Sequence, residues 1–387
     1  MQTLTARRLL THTGSIEYPV ITLTADGLIA EIESDPNVRN AGETLTAPFL
    51  DVHSHGAASH DVMTASPSDF VALNTFLASR GVGQYLATTV TAPIDHTLQA
   101  LSRIADEIET SHSGPLATPI GIHLEGPFIS HAKRGVHPVA NILAPSIELF
   151  DRFQEAARGH ISLITIAPET PGFVGNPSAL DLIAHATKAG VKVSIGHSNA
   201  TTAEALAGIA AGAVSATHTF NAMRPIDHRE PGVAAIVLDS QQLFAELICD
   251  GVHVAPEIVR LWLKAKGEDL GILITDSMSA AGMPDGDYTL AGLGVRVANG
   301  RCLLQCDLDE GRETLAGSIL TMDRAVANVQ AMTGASLATA LRLASTNPSR
   351  MLGLDLAILP GSPANFNLFS ADGTLQQTIL HGQTVAR

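Results

Sequence analysis

Apolar residues along the chain first alternate with polar ones and then gather into blocks. Residues 1–46 carry short alternating stretches, RRLLTHT, PVITLT and LIAEIE, broken by turn residues such as ADG. That pattern predicts short strands of a small β unit. From residue 47 eight β-type runs follow: FLDVHS, QYLATTVT, IGIHLEG, ISLITIAPE, VKVSIGHS, VSATHTF, FAELICDG and GILITDS. Helix-type segments lie between most of them, including 67–80, 95–112, 176–189, 201–211 and 255–265. Eight β-then-α units over about 250–300 residues have the size and rhythm of an α/β chain folded as a (β/α)8 barrel of the TIM type. A doubly wound open sheet competes, because strand order is not written in a sequence. Residues 284–313 interrupt the rhythm with the hairpin-like YTLAG and VRVANGRCLL, and helical patterns return at 321–333 and 336–346. The tail, ANFNLFSADGTLQQTILHGQTVAR, is strand-like again, and the simplest organisation pairs it with the N-terminal strands in one small β domain.

Composition narrows the function class. The 387 residues are 45% hydrophobic and 16% charged, which is a globular composition with a sizeable core. A formal net charge of −15 argues against nucleic acid or an anionic membrane as partner. It leaves room for an anionic small substrate, which needs only a local basic cluster. Cys249, Cys302 and Cys306 are too few and too odd in number for a disulfide framework, and fit a reducing compartment. Residues 1–30 hold no long apolar stretch, and no window reaches the roughly 18 apolar residues of a membrane span. The expectation is a soluble cytoplasmic protein.

The chemistry sits at the ends of the β runs. His53 and His55 close the first, Glu125 the third, His197 the fifth, His218 the sixth and Asp276 the eighth, while Asp250 and His253 follow the seventh. In a strand, side chains two apart share a face, so His53 and His55 point the same way. In a barrel all these ends converge on one mouth. Any one of these residues alone reads as an ordinary core histidine or helix cap. Taken as a set they do not, because burying several imidazoles and carboxylates is expensive without a compensating charge. A divalent metal supplies that charge through nitrogen and oxygen ligands. Spacing alone leaves His137, in KRGVHP, equally a surface-loop histidine.

These segments resemble the amidohydrolase superfamily and, within it, the N-acetylglucosamine-6-phosphate deacetylases. The resemblance is carried in order by FLDVHSHG, HLEGPF, KRGVH, IGHSNAT, THTFNAM followed by REPG, DGVH, ITDSMSAAG, LAGS and STNPSRMLG, from residue 47 to 353. It implies a metal-bearing barrel over 47–353 beside a small β-sandwich built from residues 1–46 and 354–387. It implies hydrolysis of the N-acetyl group of an amino-sugar phosphate to acetate and glucosamine 6-phosphate, in amino-sugar catabolism and cell-wall recycling. By the same resemblance Glu125, His197 and His218 hold one metal. His53 and His55 match a second metal site, with Glu125 bridging. Asp276 is the catalytic base and then acid, as well as a metal ligand, and His137 polarises the acetyl oxygen. Asn221, Ala222, His253 and Arg229 bind the phosphate, Arg229 reaching over from the partner of a homodimer, and Leu315, Ala316, Gly317 and Ser318 border the substrate. Zinc is the favoured ion, with iron, manganese or cobalt as alternatives.

Arg224 and Pro225, following FNAM, depart from the expected pattern where they could retune the sugar pocket. Cys249 reads as a small buried hydrophobe. Three alternatives stand beside the main reading. N-acetylgalactosamine 6-phosphate differs from its isomer at one hydroxyl whose partner the sequence does not place. Another amidohydrolase would use a carboxylated lysine, and no lysine sits at these strand ends. A non-catalytic protein on the same barrel would have lost ligands that are all present here.

Overall fold

The protein was analysed as a computed structural model, which describes residues 2–38, 42–112, 114–172, 177–355 and 357–386. Eight parallel strands form one sheet in sequential order: β1 (Phe49–Ser54), β2 (Val82–Thr89), β3 (Thr118–Glu125), β4 (Ile161–Ile166), β5 (Lys192–Ile195), β6 (Ser215–Ala216), β7 (Phe244–Ile248) and β8 (Gly271–Ile274). Such strands are covered on both faces, which is why they read as nearly continuous apolar runs. β8 rejoins β1 at the rim. The Asp276 amide donates to the His53 carbonyl at 2.9 Å, the His55 amide to the Ser277 carbonyl at 2.8 Å, and Ser54 bridges Ser277 in parallel. Below the rim, the buried Asp51 accepts from the Thr275 hydroxyl at 2.5 Å and ties the same two strands. The sheet is therefore a nearly closed barrel, and the open doubly wound arrangement is excluded.

A helix follows each strand: Pro67–Ser79, Ile94–Glu109, Ile147–Ala156, Ala179–Lys188, Thr202–Ala211, Gly232–Asp239, Pro256–Leu270 and, after an inserted sheet, Met322–Thr333. Local chemistry starts several of them. Ser66 with Asp69, Ser178 with Asp181 and Thr201 with Glu204 form reciprocal capping boxes. Pro67 and Pro256 sit at first-turn positions, where no amide partner is needed. Residue 176, the start of the helix expected over 176–189, lies outside the described residues. The expected 336–346 helix is α-helical only over Leu337–Leu341 and widens to a π turn at Arg342–Thr346.

Both termini contribute to the flanking sheets, as the pattern predicted. Phe366–Phe369 from the tail pairs antiparallel with Thr44–Thr46, which pairs parallel with Arg8–Thr11. Facing this six-stranded sheet is a three-stranded one made of Gln2–Thr5, Pro19–Leu23 and Ile29–Ser34. Leu9, Ile21, Leu23, Leu45, Phe366 and Ile379 fill the small core of this sandwich, separate from the barrel core. The interruption at 284–313 is a three-stranded antiparallel sheet, Gly286–Leu290, Leu293–Ala298 and Arg301–Leu304. Among the described residues no helix is long and apolar enough to cross a membrane, and all three cysteines are free.

Candidate metal centre

Six strand-end side chains meet in two buried triads, His53/His55/Asp276 and Glu125/His197/His218. In the first, His53 Nε2 lies 3.2 Å from His55 Nε2, and Asp276 Oδ1 is 3.4 and 3.1 Å from those two nitrogens. In the second, Glu125 Oε1, His197 Nε2 and His218 Nε2 are mutually 3.1 Å apart. Glu125 also stands between the triads, with His53 Nε2 3.6 Å from one of its oxygens and His55 Nε2 3.5 Å from the other.

The hydrogen-bond network fixes which nitrogen of each ring faces the cluster. His55 Nδ1 faces the Thr88 carbonyl at 3.0 Å, and His197 Nδ1 faces the Lys133 carbonyl at 2.9 Å. A carbonyl only accepts, so Nδ1 carries a proton and Nε2 is the atom that takes up a cation, whether a metal ion or a second proton. His53 Nδ1 faces the Glu246 carboxylate at 3.4 Å, with the same consequence. Lone pairs and carboxylate oxygens pointed at one another repel unless a cation stands between them. A tetrahedral ion with bonds of about 2.0–2.1 Å spaces its ligands about 3.4 Å apart. The observed separations of 3.1–3.6 Å fit that requirement.

Without an ion the cluster's charges act on each other. Burial pushes His55 down, but Asp276 and Glu125 outweigh it and raise the imidazole to about 9. His218 is likewise lowered by burial and raised by Glu125 and Asp276, to about 9. His197 goes the other way, to about 4, because burial and the neighbouring His137 both disfavour its charge. Burial raises Glu125 and Asp276, yet the surrounding histidines hold both carboxyls below their ordinary range. The pocket is built to carry positive charge.

Several of these residues leave regular geometry to reach the site. β5, β6 and β8 stop pairing two residues before His197, His218 and Asp276, whereas the sequence placed these three at the strand ends. Their φ angles are 46°, 30° and 49°, and Ala222 is at 49°. A left-handed residue costs about 1–2 kcal/mol, and such strain collects where function needs it.

A cavity of about 400 Å³ opens above the triads, lined among others by Lys133, His137, Asn221, Ala222, His253 and Leu315. His137 is buried, not a surface-loop residue. The Thr91 amide donates to its Nδ1 at 3.3 Å, so Nε2 carries the proton and lies 3.5 Å from Glu125 Oε2. His253 is oriented by Asp250, whose carboxylate takes its Nδ1 at 2.7 Å. Asp250 is thus a brace rather than a member of either triad. Leu315 and Gly317 line the cavity, while Ala316 and Ser318 are buried beside it, the Ser318 hydroxyl donating to the Thr275 carbonyl at 2.6 Å. Arg229 is exposed and does not line its own chain's cavity. A second cavity of about 410 Å³ lies between the sandwich and the barrel helices. Its Arg342 is paired with Asp269 at 3.0 Å, and neither donor triad opens into it.

The profile of the Amidohydrolase family matches residues 44–385. The chain belongs to that family. This amidohydrolase is 37% identical over 386 residues to an N-acetylgalactosamine-6-phosphate deacetylase of Escherichia coli O157:H7, covering 98% of both chains. It is 35% identical to an N-acetylglucosamine-6-phosphate deacetylase of Lysinibacillus sphaericus, over 85% of this chain and 83% of that one. Among solved structures it resembles a mutant N-acetyl-D-glucosamine-6-phosphate deacetylase of Mycobacterium smegmatis in complex with N-acetyl-D-glucosamine-6-phosphate. That likeness has a TM-score of 0.89 at 32% identity, covering 100% and 99% of the two chains. The enzyme from Thermotoga maritima gives a TM-score of 0.86 at 32% identity, with all of both chains covered. Fold and donor set together make this amidohydrolase a hydrolase with a divalent-metal site.

Sequence reading missed three residues that support the site. Asp51 and Glu246 are acids inside apolar strands, which is the signal that the sequence carries for them. Thr91 carries no such mark.

Proposed function

We propose that the enzyme hydrolyses the N-acetyl group of N-acetylglucosamine 6-phosphate, releasing acetate and glucosamine 6-phosphate. The observation that carries this reading is the pair of triads, with Glu125 of one reaching toward the other, beneath a cavity of sugar size. Glu125, His197 and His218 would hold one ion and His53, His55 and Asp276 a second, and zinc suits this donor set. When bound, divalent cations supply Lewis acidity toward water and the acetyl oxygen.

The side chains do the rest. Asp276, held ionised, takes a proton from the attacking water. It then passes that proton to the departing nitrogen, because an amine leaves poorly without one. His137, with its proton on Nε2, donates to the oxygen on which negative charge develops. Asn221, the Ala222 amide and His253 receive the phosphate, joined by Arg229 from the partner of a homodimer. Leu315 and Gly317 form a wall of the sugar pocket, and Ala316 and Ser318 hold that segment in place. Residues 1–46 and 354–387 act as a non-catalytic unit beside the 47–353 barrel, in a cytoplasmic enzyme.

A second reading, N-acetylgalactosamine 6-phosphate as substrate, is favoured by the 37% identity to a deacetylase of that name. Acetate release from the two 6-phosphates under identical conditions decides between them. A kcat/KM ratio of about ten or more for the gluco isomer is expected. A preference for the galacto isomer moves the assignment to the second reading, and no acetate from either removes both.

A further inference from the structure

We infer that Glu246 is a positioning residue for the His53/His55/Asp276 triad, holding the proton on His53 Nδ1 so that Nε2 faces the cluster. The inference rests on reading the two triads as metal ligands. Glu246 lies in the middle of β7 and is fully buried. Its Oε2 receives two donors, His53 Nδ1 at 3.4 Å and the His218 backbone amide at 3.4 Å. It stands behind the His53 ring, on the side away from the Nε2 atom that faces the cluster. It is therefore no ligand itself and belongs to neither triad.

Among the described residues Glu246 Oε1 accepts nothing. Unsatisfied buried polar atoms are rare and call for an explanation. Glu246 touches His218 through the backbone amide alone, so its carboxylate serves one ring, that of His53. His55 and His197 have backbone carbonyls for this task, at Thr88 and Lys133. His53 has the Glu246 side chain instead. A carboxylate with weak contacts and an orphan oxygen costs the metal-free chain stability. Its benefit comes only when His53 must present Nε2 to a cation, as in the carboxylate–histidine–metal arrangement.

The test is Glu246→Gln, which preserves shape and removes charge. Zinc affinity is measured by competition with a chromophoric chelator, and melting is followed with and without zinc. The expected result is a 10–100-fold loss of zinc affinity at the His53/His55/Asp276 triad, with the metal-free variant melting at or above the wild-type temperature. In a His53→Asn, His55→Asn background only the Glu125/His197/His218 triad remains, and Glu246→Gln must leave zinc there within about threefold. Unchanged affinity in the otherwise wild-type chain, or a loss of about tenfold in that background, overturns the role at His53. A variant that fails to fold, or whose metal-free form melts well below wild type, makes Glu246 merely structural and overturns it too. If the wild-type protein itself binds no zinc, the reading of the triads as ligands falls rather than this step alone.

Discussion

Replacing Asp276 by asparagine removes one charge and almost no volume. Asparagine tolerates the left-handed backbone that Asp276 occupies at φ 49°, so the rim keeps its shape. The Glu125/His197/His218 triad is untouched, and an ion there is retained. What disappears is the one carboxylate oxygen that, among the described residues, lies beside both His53 and His55. General acid–base assistance contributes about 10²–10⁴ in rate, and Asp276 is asked to move the proton twice. The expected fall in kcat is therefore at the upper end, about 10³–10⁴, equivalent to about 4–5.5 kcal/mol of barrier. KM changes by about threefold or less, because the contacts to phosphate and sugar remain. The wild-type carboxyl is held below the ordinary carboxylate range, so it stays ionised across neutral pH and loses its proton-accepting form only in acid. The deficit is accordingly the same at about pH 6 and about pH 8. The assay is acetate release from N-acetylglucosamine 6-phosphate with metal content and melting temperature measured on the same sample. A variant that keeps its metal and more than about a tenth of wild-type turnover refutes the acid–base role.

Three further outcomes follow from named contacts. Gly126→Ala places a Cβ 2.2 Å from Thr91 Oγ1 at a φ of 77°, so Thr91 must leave His137. The variant loses about 2–3 kcal/mol by urea unfolding and at least about tenfold in turnover, and wild-type values for both would contradict this. Lys266 is buried, donates to the Val237 and Ser240 carbonyls, and is lowered by burial to about 8. A base whose folded value lies below its unfolded one binds fewer protons when folded, so its cost shrinks as pH rises from about 8 to about 10.5. Lys266→Met removes that part of the stability rise, up to about 3 kcal/mol, and an unchanged pH slope argues against it. Arg229→Ala and Asp276→Asn are each inactive alone; mixed and allowed to exchange subunits, they regain activity if Arg229 serves the partner's site, and stay inactive if it serves its own.

Much of this architecture was visible before any coordinates. The eight barrel strands stood out because strands buried on both faces admit few polar residues, and the exceptions then marked the site. His53 and His55 share one face by simple alternation. Where pairing stops was not visible. His197, His218 and Asp276 turn to left-handed geometry beyond β5, β6 and β8, and composition carries no sign of that. LAGS read as one uniform wall, yet Leu315 and Gly317 line the cavity while Ala316 and Ser318 do not, as an alternating segment requires. One acid in FAELICDG carries no sign of its role in the sequence; only its place behind the His53 ring gives it a purpose.

Metal content read against turnover tests the central claim most directly. Protein stripped with a chelator, returned to zinc in steps and assayed for acetate at each step should regain activity in proportion to the zinc it binds, and lose that response when His197 and His218 are changed to asparagine. Full acetate release by stripped protein, with no metal bound, would contradict the account.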